Sequence, residues 1–179
     1  MPPLLLLSPA TTADIPALEA LVNQAYRGDT SRQGWTTEAD LLDGTRIDAA
    51  ELHQMLQAPG ATLLTARDEY GVLVGCVYLQ VQPPLLYLGM LSVRPTLQAQ
   101  GVGKLLLRAA EDHARQHGCR RLKITVISDR AELLAWYERH GYQRTGATEA
   151  FPTDPRFGVP RKALVLRVLE KFINEQQDA

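Results

Sequence analysis

The chain has 179 residues, close to the length of one domain, since domains average about 150 residues. Its 45% apolar and 22% charged residues are typical of a folded globular protein and exclude disorder, collagen and coiled coil. Lys and Arg total 19 against 20 Asp and Glu, so no basic excess favours a nucleic-acid partner. The apolar run from Leu4 to Leu7 is too short to span a membrane and lacks the charged start of a signal peptide. We therefore expect one cytoplasmic domain over residues 1–179, with no nucleic-acid or membrane partner.

The N-terminal third of the sequence predicts a strand, a helix, a loop and a second helix. Leu4–Ser8 is a short apolar strand candidate, and Thr12 is placed to cap the helix after it. The apolar residues of that helix recur at spacings of three and four: Ile15, Leu18, Leu21, Val22, Ala25 and Tyr26. Residues 28–34 combine glycine with polar side chains, which favours a mobile loop. Asp48 and Glu51 have the spacing of a capping box and predict the start of the second helix.

The rest of the sequence alternates between strands and helices. Strands are predicted over Ala61–Arg67, Val72–Val81, Leu85–Val93, Arg121–Ile127, Tyr142–Thr145 and Ala163–Leu169. Helices are predicted from Val102 through His113 and from Ala131 to His140, and Pro83 with Pro84 should interrupt pairing between neighbouring strands. Hairpin strands pair antiparallel, whereas a strand-helix-strand crossover joins parallel strands. The fold class is therefore α/β with a mixed sheet.

The segment from Leu91 to Lys104 joins a strand to a helix through a turn that ends Gln-Ala-Gln-Gly-Val-Gly-Lys. At a helix start the backbone N–H groups point outward and the positive end of the helix dipole lies behind them, an arrangement that binds phosphate. Gly101 and Gly103 leave room for a diphosphate to approach the backbone. Lys104 and Arg94 add positive charge nearby. The alternative is a plain strand-to-helix turn that requires small residues.

Two other phosphate-binding motifs do not fit this turn. A Walker A loop requires glycine where Gln98 stands and Ser or Thr where Leu105 stands. A dinucleotide fingerprint that begins at Gly101 requires glycine or alanine where Leu106 stands. Both nucleotide-binding motifs are therefore excluded.

Two motifs together resemble those of the GNAT superfamily of N-acetyltransferases. Gln-x-x-Gly-x-Gly at residues 98–103, after Leu-x-Val-x-Pro at residues 91–95, is similar to the acyl-coenzyme A signature of that superfamily. Trp-Tyr-Glu-Arg-His-Gly-Tyr at residues 136–142 is similar to its aromatic-Tyr-Glu-Lys-x-Gly-Phe helix end. The resemblance covers residues 15–169. It implies a GNAT fold: a mixed, mostly antiparallel sheet of about seven strands with splayed central strands, flanked by about four helices.

The resemblance implies that acetyl-CoA lies in the gap between the splayed strands Leu85–Val93 and Arg121–Ile127. The backbone of Leu91 and Val93 would pair with the pantetheine arm, and the Val93 N–H would serve as an oxyanion donor to the thioester. The other cofactor-binding residues implied here are Ser92, Gln98, Gln100, Gly101, Val102, Gly103 and Lys104.

Tyr137 matches the family's tyrosine acid, whose hydroxyl lies close to the coenzyme sulfur. A phenol has a pKa of about 10 and a thiol of about 8.5, so Tyr137 is protonated at neutral pH and able to donate to a departing thiolate. The alternative is that the ring of Tyr137 only packs.

The sequence departs from the family pattern at two places. Many members carry a carboxylate as general base where this chain has Gly89 and Met90, so no base is carried over. Arg130 replaces an asparagine, and it would contact coenzyme phosphate or ribose or else lie in solvent. Ser128 and Asp129 are candidates for hydrogen bonding to the cofactor at the mouth of the gap.

By analogy with the family, the loops near Trp35 (residues 35–38) and near Phe151 and Pro152 lie beside the acceptor opening. Glu38 or Asp40 would attract a cationic amine there, whereas Arg46 would fix a substrate carboxylate. Thr37 and Asp40 also have capping-box spacing, so a purely structural role is the alternative.

The resemblance therefore predicts an acetyl-CoA-dependent N-acetyltransferase that acts on a primary amine of a small molecule by direct attack in a ternary complex. One alternative is a non-catalytic acyl-CoA-binding or regulatory module, and another is an enzyme that acetylates protein or peptide amines. No metal is expected, because His113 and His117 have no third ligand at suitable spacing. The oligomeric state stays open, with a homodimer among the alternatives.

Overall fold

The computed structural model of the protein describes residues 4–174. Its helices are α1 (Ile15–Tyr26), α2 (Gly28–Ser31), α3 (Ala49–Gln57), α4 (Val102–Gln116) and α5 (Ala131–Arg139). Its strands are β1 (Leu6–Pro9), β2 (Leu42–Asp43), β3 (Ala61–Arg67), β4 (Leu73–Gln82), β5 (Leu85–Val93), β6 (Arg121–Ile127), β7 (Gln143–Ala150), β8 (Val159–Pro160) and β9 (Val165–Phe172). Single 3₁₀ turns cover Thr12–Asp14, Pro95–Leu97 and Pro155–Phe157.

Seven strands form one sheet in the order β1-β3-β4-β5-β6-β9-β7. The β5/β6 pair is parallel, because α4 carries the chain across the sheet between these two strands, and the other neighbouring pairs of this sheet are antiparallel. β2 and β8 form a separate antiparallel pair. The predicted mixed, mostly antiparallel sheet with flanking helices is confirmed.

The helices bury their apolar sides in two cores. Leu18 of α1 and Leu52 of α3 belong to one core, and Leu106 of α4 and Leu134 of α5 belong to the other. From Cys76 to Leu79, successive residues of strand β4 belong to opposite cores, as expected of a strand whose successive side chains point to opposite faces. The sheet is therefore covered on both faces, with α1 and α3 on one and α4 and α5 on the other.

The starts of the first two long helices test the predicted caps. Thr12 does not cap α1. Instead, the Thr11 N–H donates to the Asp14 carboxylate (2.8 Å) around a 3₁₀ turn that precedes the helix. Asp48 does cap α3, where it accepts a hydrogen bond from the Glu51 N–H (2.8 Å).

Two predicted interruptions are regular structure. Residues 28–34, predicted as a mobile loop, begin with the short helix α2. Pro83 and Pro84 do not interrupt strand pairing; they form the turn of the β4/β5 hairpin, in which Gln82 lies opposite Leu85. That prediction was wrong because a proline in the turn itself removes no hydrogen bond from the ladder.

The last two strands of the sheet extend beyond their predicted ends. β7 runs to Ala150 rather than Thr145, and β9 runs to Phe172 rather than Leu169. The side chains of β7 are exposed along its whole length, so no alternation of apolar residues marks its end in the sequence.

Candidate active site

The central strands β5 and β6 pair at one end and separate at the other. Pairing joins Leu85–Tyr87 to Arg121–Lys123, and β5 then contains a β-bulge. Met90 and Leu91 together lie opposite the single residue Val77 of β4, and Met90 has a left-handed φ of 53°. Because a bulge bends its strand, β5 turns away from β6 and a gap opens between them, as the predicted splay requires.

The backbone of Val93 faces this gap. Val93 lies opposite Gly75 of β4, and the N–H of the next residue, Arg94, donates to the Val74 carbonyl (2.9 Å). Successive residues of a strand direct their backbone groups to alternate sides, so the Val93 N–H and C=O point away from β4. The Gln98 side-chain amide donates to that carbonyl (3.2 Å). The Val93 N–H is thus directed into the gap.

The turn after β5 has the backbone conformation of an anion-binding helix start. Gly101, the N-cap of α4, has a φ of 90°, and Ala99 has a φ of 62°. The first helical hydrogen bond runs from the Leu105 N–H to the Gly101 carbonyl (3.0 Å). The N–H groups of residues 102–104 therefore precede the helical ladder and have no acceptor within it.

A cavity of about 250 Å³, here called the turn cavity, lies between this turn and α5. Its lining on the side of the turn consists of Leu91, Val93, Gln98, Ala99, Gly101, Gly103 and Lys104. Trp136 forms the opposite wall: its ring lies 6.2 Å from that of Trp35 and 4.3 Å from that of His140, between centroids. A Cβ on Gly103 would lie 3.3 Å from the Trp136 ring, so glycine permits the close approach of α4 and α5.

Trp35 and Thr36 line the turn cavity, and each is hydrogen-bonded to one of its sides. The Trp35 N–H donates to the Gln98 side-chain oxygen (3.0 Å). The Thr36 hydroxyl donates to the Glu132 carboxylate at the start of α5 (2.9 Å). Trp35, assigned to the acceptor opening by analogy, therefore lies in the turn cavity.

A second cavity, of about 240 Å³, is here called the arginine cavity because the guanidinium groups of Arg27, Arg46 and Arg130 line it. Its apolar lining includes Tyr87, Leu88, Met90, Phe151, Phe157 and Leu166. Glu38 and Arg46, two of the candidate acceptor residues, both belong to its walls. The structure thus brings them together on the arginine cavity.

Glu38 joins two of the three arginines in a buried network. Arg27 Nε donates to one of its carboxylate oxygens (2.8 Å) and Arg130 Nη1 to the other (3.1 Å). Arg27 also donates to the carbonyls of Thr45 (3.2 Å) and Phe157 (2.9 Å). Burial lowers the pKa of Arg27, and the charge of Glu38 opposes this. Both oxygens of Glu38 are therefore already bound to cations.

Tyr137 lies where the two cavities meet, since its side chain lines both. It is 6% exposed, and burial raises the pKa of its hydroxyl well above the usual range. Nothing among residues 4–174 hydrogen-bonds to this hydroxyl. The group is therefore protonated and has its hydrogen available for a bound molecule.

Four residues from the expected cofactor set lie outside the lining of the turn cavity: Ser92, Gln100, Val102 and Ser128. Ser92 is buried, and its hydroxyl donates to a carbonyl within β5 (3.0 Å). Gln100 and Val102 border a separate pocket beyond the turn. The Ser128 hydroxyl donates to the Asp129 carboxylate (3.3 Å).

Asp40, the second acidic candidate for the acceptor, lies at the surface rather than in a cavity. It pairs with Arg32 (2.7 Å), whose hydrogen bond lowers the pKa of its carboxyl. No capping box forms between Thr37 and Asp40. The Thr37 hydroxyl instead accepts a hydrogen bond from the Ala39 N–H (3.0 Å) in an irregular segment.

Tyr26 and Arg27 belong to the site but were not identified from the sequence. Tyr26 lines both cavities, and its hydroxyl donates to the Leu91 carbonyl at the bulge (2.8 Å). Burial raises the pKa of Tyr26 to about 12. Helical spacing placed Tyr26 among core residues, and no motif marks Arg27. The signal available in the sequence was a phenol and a guanidinium at the end of the apolar side of the first helix.

Residues 4–174 contain neither a metal-binding cluster nor a membrane-spanning helix. Within that range no three His, Cys, Asp or Glu side chains are grouped to hold a metal ion, and no helix has the length and apolar character needed to cross a bilayer. The rings of His113 and His117 stack on each other at 4.2 Å between centroids.

Residues 20–142 match the family model described as the Acetyltransferase (GNAT) family. The match covers more than half of the sequence, and the chain belongs to the GNAT acetyltransferase family. The family resemblance of the two motifs is thereby confirmed.

Individual relatives are similar over parts of the sequence. The chain is 35% identical over 86 residues to the mycothiol acetyltransferase of Propionibacterium freudenreichii subsp. shermanii, covering 46% of this chain and 28% of that protein. It is 27% identical over 78 residues to the uncharacterised protein YdhI of Bacillus subtilis, covering 44% of this chain and 48% of that protein. The matches thus span less than half the length of these curated relatives.

A solved structure is similar over nearly the whole chain. The ribosomal-protein-alanine N-acetyltransferase from Brucella melitensis superposes with a TM-score of 0.67 over 94% of this chain and 99% of that chain, at 24% identity. At this identity the likeness concerns the fold.

Proposed function

We propose that the protein is an acetyl-CoA-dependent N-acetyltransferase that acetylates a primary amine of a small molecule by direct attack in a ternary complex. The observation that carries the proposal is the position of Tyr137. Its protonated, unpaired hydroxyl lies where a cavity beside an anion-binding turn meets a second cavity of similar size. Such an arrangement suits a group that acts between two substrates.

The turn cavity is the proposed acetyl-CoA site. The N–H groups of residues 102–104 and the charge of Lys104 suit a diphosphate, because a helix start offers unpaired donors and a positive dipole end. The Val93 N–H points into the gap and would donate to the thioester oxygen as it becomes an oxyanion. Trp136 and Trp35 supply apolar walls for the pantetheine arm.

The arginine cavity is the proposed acceptor site. An unprotonated amine entering from this side would attack the thioester carbon and form the C–N bond, and the C–S bond would then break. Tyr137 donates its hydrogen to the departing sulfur, and the proton lost by the amine nitrogen restores the phenol or leaves through solvent. Gly89 and Met90 offer no carboxylate, so the amine must bind in its neutral form or lose its proton to water.

The missing strand carboxylate also favours a second candidate, a non-catalytic acyl-CoA-binding module. A thiol-release assay with acetyl-CoA and a panel of small amines, amino acids, aminoglycosides and peptides separates the two. We expect amine-dependent thiol release that requires Tyr137. Acetyl-CoA binding by calorimetry with no thiol release on any amine would instead favour the binding module.

A further inference from the structure

The walls of the arginine cavity carry more positive than negative charge. Among residues 4–174, three guanidinium groups and the single carboxylate of Glu38 line it. Glu38 already binds two cations, because one oxygen accepts from Arg27 and the other from Arg130. The negative charge of Glu38 is therefore offset by two guanidinium groups, and the net positive charge of the walls disfavours an acceptor with several positive charges.

Arg46 differs from the other two arginines in having no counter-charge. Arg27 and Arg130 are bound to Glu38, whereas no carboxylate within residues 4–174 forms an ion pair with Arg46. Its guanidinium carbon lies 5.5 Å from the centroid of the ring of Tyr26, a residue that lines both cavities. An unpaired guanidinium on a cavity wall is a binding site for an anionic oxygen group, since its planar donors match a carboxylate.

The rest of the lining restricts the body of the ligand. Aromatic and aliphatic side chains face the cavity, among them Tyr87, Phe151, Phe157 and Leu166. The volume of about 240 Å³ lies below the range usual for drug-sized ligands, about 300–1,000 Å³. The cavity therefore fits a small molecule with an apolar body and one anionic group.

We infer that the acceptor is an amino carboxylate with an apolar side chain, held by an ion pair between its carboxylate and Arg46. This inference rests on the proposed function and specifies its acceptor. The ion pair with Arg46 fixes the carboxylate end of the acceptor. The amine of the acceptor then reaches the edge of the cavity that Tyr137 forms.

Matched triplets of acceptors test this inference. Leucine, phenylalanine and methionine are each compared with the corresponding amide and with the amine that lacks the carboxyl group, by thiol release from acetyl-CoA. For the wild-type protein we expect kcat/KM to be at least about ten-fold higher for the acid than for either neutral analogue in at least one triplet. An aminophosphonate analogue establishes whether Arg46 accepts any oxyanion or a carboxylate only; preference for the phosphonate over the acid would overturn the carboxylate assignment.

Variants of Arg46 separate binding from folding. Arg46→Gln should lower kcat/KM for the acid about ten-fold, through KM, and change it less than about two-fold for the neutral amine; Arg46→Lys should restore part of the loss. Arg108→Gln, on the exposed side of α4, is the charge-matched control and should leave all ratios unchanged. Equal losses on acid and neutral amine in Arg46→Gln would overturn the inference.

The same panel distinguishes the failure of this inference from the failure of the proposed function. Acetylation of aminoglycosides, peptides or neutral amines without any preference for acids would leave an N-acetyltransferase with a different acceptor. Absence of thiol release on every amine, from protein that binds acetyl-CoA, would overturn both.

Discussion

The two cavities that meet at Tyr137 are nearly equal in volume but are built in different ways. The turn cavity takes much of its lining from one continuous stretch, Leu91 to Lys104. The arginine cavity depends on contacts between distant parts of the chain, such as that of Arg27 with the carbonyl of Phe157, 130 residues away. A local motif can position backbone donors, whereas a charged pocket of this kind requires the completed fold.

The Glu38 network connects the two cavities. Arg130 donates to Glu38 on the side of the arginine cavity and to the Thr36 hydroxyl (2.7 Å) in the segment that borders the turn cavity. The arginine cavity therefore contributes to the geometry of the turn cavity. Substitutions of Glu38, Tyr137 and Gln98 test whether one cavity can be altered without changing the other.

The largest expected effect comes from Glu38→Ala. The substitution removes the buried carboxylate that both Arg27 and Arg130 bind, and loss of one partner from a buried ion pair costs about 3–5 kcal/mol. We expect the free energy of unfolding, measured in urea, to fall by about that amount. Asp40→Ala, which breaks an exposed pair with Arg32, is the matched control and should change it little. Equal effects of the two substitutions would contradict the network.

Tyr137→Phe should have the next largest effect, on catalysis rather than on stability. Loss of the hydroxyl between the cavities should lower kcat ten-fold or more and leave the affinity for acetyl-CoA within about two-fold, because only the donor to the departing sulfur is removed. Tyr142→Phe is the control: its ring lies 5.5 Å from that of Tyr137, and its buried hydroxyl lines neither cavity. An unchanged kcat in Tyr137→Phe would remove this residue from the mechanism.

Gln98→Ala should have a smaller effect, confined to the turn cavity. Its side chain bridges the Val93 carbonyl and the Trp35 N–H, and one such hydrogen bond contributes about 1 kcal/mol. We expect KM for acetyl-CoA to rise about five-fold with little change in kcat. Gln100→Ala, two residues away and outside the turn cavity, should leave KM unchanged. An equal rise in KM for the two variants would contradict the placement of Gln98 in the turn cavity and of Gln100 outside it.

The strand-to-helix turn beside the turn cavity could be predicted from the sequence because that part is local. Glycines 101 and 103 at a strand-to-helix turn predict outward N–H groups whatever the rest of the chain does, and the strand bounds of β3, β5 and β6 follow from apolar runs. The bulge at Met90 was not predicted, since no local rule gives a methionine a positive φ.

The arginine cavity was predicted only in part. Glu38 was placed at the acceptor opening by analogy, and Arg46 was a candidate because of its charge. The partners of Glu38 could not be predicted from the sequence, because Arg27 lies 11 and Arg130 92 residues away. Spacing rules connect residues within one helix or strand and say nothing about such distant partners. Trp35 was assigned to the same opening as Glu38 by analogy, although the fold separates the two residues into different cavities.

The smallest expected effect concerns pH and the burial of Tyr137 between the two cavities. An ordinary phenol, with a pKa of about 10, would be about three-quarters ionised at pH 10.5, and an enzyme that needs it protonated would lose about four-fold in kcat. Burial raises the pKa of Tyr137 well above that value, so the proton is retained and kcat should change less than about 1.5-fold between pH 8.5 and 10.5. Saturating acetyl-CoA and amine, with circular dichroism to verify folding, give the measurement. A fall in kcat near pH 10 that is absent from Tyr137→Phe would mean that the hydroxyl is open to solvent. The cavities would then form one continuous channel rather than two compartments joined at a buried phenol.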